Sequence, residues 1–294
     1  MHEPTHDDIV DAARLLAGHA FRTPVVENAV LNARTNGRVL LKLETLQRVG
    51  AFKFRGAYNT IARLDRARFP GGVVACSSGN HAQGVAEAAR LLGHAAVLVM
   101  PSDAPRIKVE RTQRSGGEVV LYDREREDRD LIANERARSR GAAMVHPYDH
   151  PHVIAGQGTV GLELMQQARD LGAEPDLVLV PCSGGGLASG IALAVKQARP
   201  ATEVYAVEPD GFDDLARSLA AGKRLGNERK SGSICDALQS QSTGALTFPL
   251  LRRLLAGGIT VTDDAVRDAV RYAATELKLV VEPGGAVGLA AILS

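Results

Sequence analysis

Short runs of Val, Ile, Leu and Ala alternate with helical patterns along most of the chain, and this alternation limits the fold more than any other feature. Near-continuous apolar strands separated by helices indicate parallel sheets that are covered on both faces. The sequence therefore predicts an α/β fold with open, mostly parallel sheets flanked by helices. The predicted strands are 39–43, 72–77, 96–100, 118–122, 143–146, 176–181, 203–208 and 279–282.

Amphipathic stretches between these strands predict helices over 83–92, 104–114, 126–139, 158–171 and 264–277. Near the N-terminus, Thr5 and Asp8 form the pattern of a capping box, and Ile9, Ala12 and Leu16 follow on one helical face. In parallel sheets, ligands bind at the loops beyond the carboxyl ends of the strands. We therefore expect the functional residues in those loops.

The length of 294 residues is sufficient for two domains, and 45% hydrophobic with 23% charged residues is the composition of a globular protein. A net charge of +1 argues against a nucleic-acid partner. Cys76, Cys182 and Cys235 lack CxxC spacing, which argues against disulfides and structural zinc and favours a reducing cytoplasm. We expect neither a membrane span nor a secretion signal, because the apolar runs are short and the N-terminus is polar.

Lys53 is flanked by two aromatic residues, Phe52 and Phe54, at the start of an apolar helical pattern. Desolvation by such neighbours lowers the pKa of a lysine, and the amine then becomes a usable nucleophile or base. The same pattern also fits a lysine whose aliphatic stem covers apolar surface while its amine reaches water. These two interpretations remain open from this segment alone.

The loop 76–84 gathers hydroxyl, amide and imidazole side chains at the end of a strand and the start of a helix. Helix N-termini present free N–H groups and favour anions such as a carboxylate. An ordinary helix cap with incidental polar neighbours is the alternative. The density of polar groups favours a binding site.

The loop 182–187 contains three consecutive glycines after an apolar strand, a pattern that is typical of a phosphate cradle. A dinucleotide fingerprint is the alternative, because Gly184 and Gly186 are followed by Ser189 and Glu208 ends the next strand. That alternative predicts an NAD-binding oxidoreductase. The loop alone does not decide between the two.

Together these segments resemble the fold-type II pyridoxal-phosphate enzymes, specifically the serine racemase and serine/threonine (3-hydroxyaspartate) dehydratase family. The resemblance covers nearly the whole chain and is carried by segments in the same order. They are 42–57, 77–83, 100–105, 147–159, 183–187 and 280–286. It implies the fold of tryptophan-synthase β-like enzymes, with pyridoxal 5'-phosphate in a cleft between a small domain (72–147), mobile over the cleft, and a large one (1–71 and 148–294).

The resemblance also assigns roles to individual residues. Lys53 would hold the cofactor and act as the catalytic base, and Ser78 would be a second acid–base group across the cofactor ring. The other cofactor contacts would be Phe52, Asn80, Ser183, Gly184, Gly185, Gly186, Leu187 and Glu282. The substrate would be bound by Ser77, Ser78, Asn80, His81, Arg129 and Ser240. Arg129 lies in the charge run 123–130, which by itself indicates a solvated helix start, but the resemblance implies that it reaches a second acidic group on the substrate.

The segment 208–214 resembles the divalent-cation site of the same family. Its ligands would be the carboxylates of Glu208 and Asp214 and the backbone carbonyl of Phe212. Hard oxygen ligands suit Mg²⁺, with Ca²⁺ or Mn²⁺ as alternatives. A simpler interpretation is that Asp213 and Asp214 cap the helix that follows.

The activity implied is dehydration of a small β-hydroxy amino acid (serine, threonine or 3-hydroxyaspartate) to a keto acid and ammonia. Racemisation at the same site is the main alternative, and Ser78 and Arg129 favour the branch that includes racemases and hydroxyaspartate dehydratases. We expect a cytoplasmic homodimer. Chains of the family usually continue past the position of Ser294 into a strand that meets the pyridine nitrogen, so the partner of that nitrogen stays open.

Overall fold

The computed structural model describes residues 2–77, 79–123 and 125–294, and within these ranges two parallel sheets dominate the fold. The strands of the first sheet lie in the order β5-β4-β3-β6, with Val73 paired to Ala96 on one side and to Ala143 on the other. Its strands are β3 (Val73–Cys76), β4 (Ala96–Pro101), β5 (Glu118–Tyr122) and β6 (Ala143–Met144). The helices α4 (Asn80–Leu92), α5 (Arg106–Arg114) and α6 (Arg129–Arg140) connect them.

The central strands of this sheet are buried on both faces, as their uniform hydrophobicity predicts. Side chains of successive residues alternate between the faces. Val73 and Ala75 therefore pack with Val85 of α4, whereas Val74 and Cys76 belong to the cluster that contains Ala133 of α6.

The second sheet has the strand order β7-β8-β9, and its strands are also parallel. Its strands are β7 (Leu177–Pro181), β8 (Glu203–Pro209) and β9 (Gly257–Val261). Helices α8 (Gly186–Ala198), α9 (Asp214–Ala221) and α10 (Thr247–Leu254) contribute to one hydrophobic cluster. Helices α11 (Asp263–Thr275) and α12 (Pro283–Leu293) form the other.

The longest helix, α7 (Pro151–Asp170), packs against α8 and against α3 (Lys53–Ile61). Glycine permits this close approach, since a Cβ on Gly190 would lie 2.4 Å from the carbonyl oxygen of Ile154. The N-terminal helix α1 (His6–Leu16) packs on α7 and begins with the predicted capping box. The remaining regular elements are β1 (Val25–Glu27), α2 (Ala29–Thr35), β2 (Leu40–Lys42) and short 3₁₀ turns at Glu44–Leu46, Arg48–Gly50 and Asp236–Leu238.

The predicted fold class is confirmed, but three strand assignments differ from the prediction: β1 was not predicted, a strand was predicted over 279–282, and β9 was not predicted. The strand predicted over 279–282 is wrong, because this segment is an irregular connection in which Lys278 has a φ of 58° and Val280 is 87% exposed. The third strand of the second sheet is instead β9, which the sequence analysis missed. The division into domains at 71/72 and 147/148 stays a prediction.

None of the helices in the described part of the chain is both long and apolar enough to span a membrane.

Candidate active site

A cavity of about 1590 Å³ is lined by the loops that follow β3, β6 and β7. The carboxyl ends of parallel strands lie at the same edge of a sheet, so the chemistry-bearing loops of each sheet come together there. Lys53 at the start of α3 lines the same cavity. The three loops that the sequence singled out therefore converge on one space.

The amine of Lys53 is held inside this cavity. Its Nζ donates a hydrogen bond of 2.7 Å to the carbonyl oxygen of Pro147 and lies 5.3 Å from the centre of the Phe52 ring. Burial lowers the pKa of Lys53 from its usual 10.5 to about 8. A substantial fraction of the amine is thus neutral near pH 8, which a solvent-exposed lysine would not be.

A buried ion-pair cluster fixes the helix that carries Lys53. Arg55 is fully buried and pairs with Glu44 at 2.9 Å and with Glu163 of α7 at 2.6 Å, and Lys42 of β2 reaches the same Glu163 at 2.6 Å. Sequence reasoning missed this cluster, because Glu163, which joins Lys42 and Arg55, lies 108 residues from Arg55 in the chain.

Asn80, the first residue of α4, is bonded across the cavity to Glu282, the residue that precedes α12. Its Nδ2 donates to the Glu282 carboxylate. Burial raises the pKa of Glu282. Asn80 and Glu282, two of the residues that the resemblance assigns to the cofactor, are thus in direct contact.

The imidazole of His81 is 2% exposed and lies close to the backbone carbonyl of Val145, with its Nε2 3.0 Å from that oxygen. Burial, followed by the nearby charge of Lys53, lowers the pKa of His81 to about 3, so the ring is neutral. A carbonyl only accepts hydrogen bonds, hence Nε2 carries the proton and Nδ1 is a bare acceptor. Towards an anion, His81 has only its backbone N–H to offer.

Ser77 shapes the turn into α4, because its hydroxyl accepts a hydrogen bond of 3.1 Å from the N–H of Gly79. The first N–H groups of α4 face no preceding helical turn and remain available to an acceptor. Ser78, predicted as a second acid–base group, lies outside the described residues.

The loop 183–187 leads directly into α8, and its glycines are required by their surroundings. Gly185 has a φ of 92°, and a Cβ on Gly184 would lie 2.4 Å from the ring of Tyr148. Ser183 donates from its hydroxyl to Ser240 Oγ at 2.8 Å, and the N–H of Ser240 donates back at 3.2 Å. Ser240, predicted as a substrate contact, thus lies against this loop, and both line the cavity together with Leu187.

Arg129 is the first residue of α6 and lines the cavity with Asp130, the carboxylate it meets at 3.8 Å. Its side chain is half exposed. The charge run is therefore largely solvated, as its composition suggested, while its one predicted functional arginine faces the cavity.

A second contact crosses the cavity at Lys108 of α5. Its Nζ forms an ion pair with Asp236, which begins a 3₁₀ turn beyond the second sheet. Sequence reasoning singled out neither residue. The only available signal was the position of Lys108 near the start of a helix after β4.

Glu208 and Asp214 lie outside this cavity and are fully buried. Glu208 accepts hydrogen bonds from the N–H groups of Leu215 and Ala216 at 3.2 and 2.9 Å, and thus caps α9. Asp214 accepts from Asn227 at 2.7 Å and from the backbone and hydroxyl of Thr243 at 2.6 and 2.7 Å. Burial and the neighbouring Asp214 raise the pKa of Glu208 to about 8.

This geometry removes the basis of the dinucleotide alternative. The acid that would bind a ribose, Glu208, has both of its carboxylate oxygens on backbone N–H groups of α9 and does not line the cavity. It therefore cannot reach a nucleotide bound at the glycine loop.

Comparison with known proteins identifies the family of the chain. The family described as "Pyridoxal-phosphate dependent enzyme" matches residues 16–294. The L-threo-3-hydroxyaspartate ammonia-lyase of Pseudomonas sp. is 43% identical over 99% of this chain and 90% of its own length. The serine racemase of Schizosaccharomyces pombe is 40% identical over 98% of this chain and 88% of its own.

The solved structure of maize serine racemase superimposes with a TM-score of 0.95 at 41% identity, covering 100% of this chain and 87% of that one. The match extends over both sheets and all three loops around Lys53. The chain belongs to the pyridoxal-phosphate dependent enzyme family.

Proposed function

We propose that the chain is an ammonia-lyase that converts a small β-hydroxy amino acid into a 2-keto acid and ammonia, with pyridoxal 5'-phosphate as its cofactor. The environment of Lys53 is the main observation that supports this proposal. Its amine is buried, has a lowered pKa, and lies in the cavity where the loops 77–81 and 183–187 meet. The similarity to ammonia-lyases along almost the full length supports the proposal.

The residues present fit the cofactor. The cradle of Gly184, Gly185 and Gly186 has no room for side chains and opens onto the N-terminus of α8, which favours a phosphate. Phe52, Leu187 and the Asn80–Glu282 pair line the same space. We assign the phosphate to the backbone of Ser183–Leu187 and the ring to Phe52, Asn80 and Glu282.

When bound, pyridoxal phosphate withdraws electrons from the Cα of the substrate and makes its proton removable. Lys53 takes that proton on its neutral ε-amine. The substrate's β-hydroxyl leaves as water, and one water is taken up again when the C–N bond is hydrolysed. The net products are one keto acid and one ammonia.

The substrate carboxylate is assigned to the start of α4. Backbone N–H groups there, with Ser77, Ser78, Asn80 and His81, form an anion site at the positive end of a helix dipole. Arg129 and Ser240 would bind the substrate's far end, and a guanidinium favours a second carboxylate. We therefore propose 3-hydroxyaspartate as the preferred substrate over serine and threonine.

An assay of ammonia release from L-serine, L-threonine, D-serine and the stereoisomers of 3-hydroxyaspartate tests this proposal. The purified protein with pyridoxal phosphate is expected to release ammonia from at least one of them. Lys53→Gln should lower the rate by at least about 10³-fold, because the general base is lost. Lys196→Gln, a change in the last turn of α8, serves as the matched control. Absence of ammonia from every substrate would refute the lyase.

Racemisation is the second candidate, favoured by the 40% identity to a serine racemase. It uses the same proton removal by Lys53 and returns a proton from the opposite face, a role that we assign to Ser78 from the resemblance alone, since Ser78 lies outside the described residues. Chiral analysis of unreacted L-serine in the same assay separates the two activities.

We further propose a divalent cation at Glu208, Asp214 and the Phe212 carbonyl, with Mg²⁺ preferred. The donor set is oxygen only, and neither carboxylate forms an ion pair with a basic side chain of the described residues. A cation would favour the ionised forms of both buried carboxylates, whose pKa values are raised in its absence.

We further propose that the protein is cytoplasmic and forms a homodimer. Residues 72–147 would form a domain that is mobile over the cleft. The three unpaired, buried cysteines suit a reducing compartment. Light scattering of the purified protein measures the oligomeric state.

A further inference from the structure

We propose that His146 is a specificity-determining residue that binds, together with Arg129, the side-chain carboxylate of an acidic substrate. This inference rests on the proposed lyase and names the group that selects its substrate class.

The tautomer of His146 follows from its neighbours. Its Nδ1 accepts hydrogen bonds from the N–H groups of Tyr148 at 3.3 Å and Asp149 at 2.8 Å. A nitrogen that accepts two N–H groups carries no proton, so the proton of the neutral ring is on Nε2. His146 therefore presents an N–H donor at Nε2, and that donor has no hydrogen-bond partner among the residues that the structure describes.

The donor is held in place and faces an accessible space. His146 follows β6, lines the cavity and packs edge-on against Tyr148, with ring centres 4.7 Å apart. The two backbone bonds to Nδ1 and the aromatic contact restrict rotation of the ring. A donor restricted in this way loses little conformational entropy when it binds an acceptor.

Arg129 is the charged group near His146 that is most available to a substrate anion. Lys53 and Arg129 lie within electrostatic range of the ring, as do the carboxylates of Asp130 and Asp149. The carboxylate of Asp149 already accepts hydrogen bonds from three backbone N–H groups at the start of α10. Within the described part of the chain, the only carboxylate that pairs with Arg129 is that of its neighbour Asp130, at 3.8 Å, and because Arg129 is half exposed this pair is weak in water.

A guanidinium and a neutral N–H donor together match the two oxygens of a carboxylate. The α-carboxylate is assigned to the start of α4, so this pair would bind a second carboxylate on the same substrate. Serine and threonine have none, whereas 3-hydroxyaspartate does. His146 thus contributes to discrimination between acidic and neutral β-hydroxy amino acids.

The test compares kcat/KM of the holoenzyme for L-threo-3-hydroxyaspartate and for L-serine. In His146→Asn, the amide oxygen can replace Nδ1 as acceptor for Tyr148 and Asp149, but the donor at the Nε2 position is lost. The ratio of the two kcat/KM values should fall about 10- to 100-fold, the effect of one hydrogen bond to a charged group. His94→Asn, remote from the cavity, should leave the ratio unchanged.

The affinity for amino acids that lack a β-hydroxyl tests the same inference without catalysis. The Kd of L-aspartate relative to that of L-alanine should rise by the same factor in His146→Asn. An unchanged ratio in both measurements, or an equal loss for both ligands, would overturn the inference. If the wild-type protein releases no ammonia, the lyase proposal fails, and the L-aspartate measurement still decides the role of His146.

Discussion

At Lys53, burial sets the charge state of the amine, and this gives the uptake of cofactor a defined pH dependence. Only the neutral amine is a nucleophile, and the pKa of about 8 means that its fraction rises steeply between pH 7 and 9. The rate of pyridoxal phosphate uptake by cofactor-free protein should rise about tenfold per pH unit below 8 and level off above it. Absorbance of the bound cofactor measures this rate.

An exposed lysine, with its pKa near 10.5, would give a rate that still rises at pH 9. That profile would contradict the burial of Lys53. The Lys53→Gln variant should show no covalent uptake at any pH.

We propose that Ser78, which lies outside the described residues, is needed for racemisation but not for elimination. We expect Ser78→Ala to abolish formation of D-serine from L-serine while lowering ammonia release from L-serine less than about threefold, since Lys53 acts alone in elimination. Ser139→Ala, at an exposed position of α6, is the control and should leave both activities unchanged. Equal loss of both activities in Ser78→Ala would contradict the assignment to opposite faces.

Among the elements of the fold, the loop 183–187 packs directly against the segment that follows β6. A Cβ on Gly184 would meet the Tyr148 ring at 2.4 Å, so Gly184→Ala must displace that ring. Overpacking of this kind costs about 1–3 kcal/mol, and the affinity for pyridoxal phosphate should fall about 5- to 100-fold.

Gly288→Ala in α12 is the control for this prediction, because a Cβ there makes only ordinary contacts of 3.8 Å. Equilibrium dialysis with the cofactor measures both variants. Equal affinities for Gly184→Ala and the wild type would show that the loop has room that the structure does not indicate.

Sequence patterns identified the loops that line the cavity but missed one strand of the second sheet. The loops at Lys53, Asn80 and 183–187, which the sequence singles out, line one cavity in the structure, because the ends of parallel strands bring their loops together. β9 was missed since it begins with Gly257 and Gly258, which read as a turn. A Cβ on Gly258 would lie 2.8 Å from Ala216 of α9, so tertiary packing requires that glycine.

For the whole molecule, the proposed cation would connect β8 to α9 and thus stabilise the second sheet. Removal of the ion with EDTA should lower Tm by about 5 °C, from about 2–3 kcal/mol of lost binding free energy. The Tm of the Glu208→Gln variant should not change when EDTA is added. A wild-type Tm that does not respond to EDTA and Mg²⁺ would exclude the site.

How the two sheets sit relative to each other was beyond sequence reasoning. The resemblance supplied Asn80 and Glu282 as separate cofactor residues, yet their mutual bond depends on tertiary placement of α4 and α12. Arg55, Glu163, Lys108 and Asp236 carry no local pattern that marks them, since each acquires its role from a partner more than 100 residues away.

Any motion that moves the two sheets apart breaks both the Lys108–Asp236 ion pair and the Asn80–Glu282 bond. Dissolved salt screens the attraction between the charges of the first pair, which is partly exposed. Added salt is therefore expected to weaken the Lys108–Asp236 ion pair more than the Asn80–Glu282 bond, because the latter joins a carboxylate to a neutral amide.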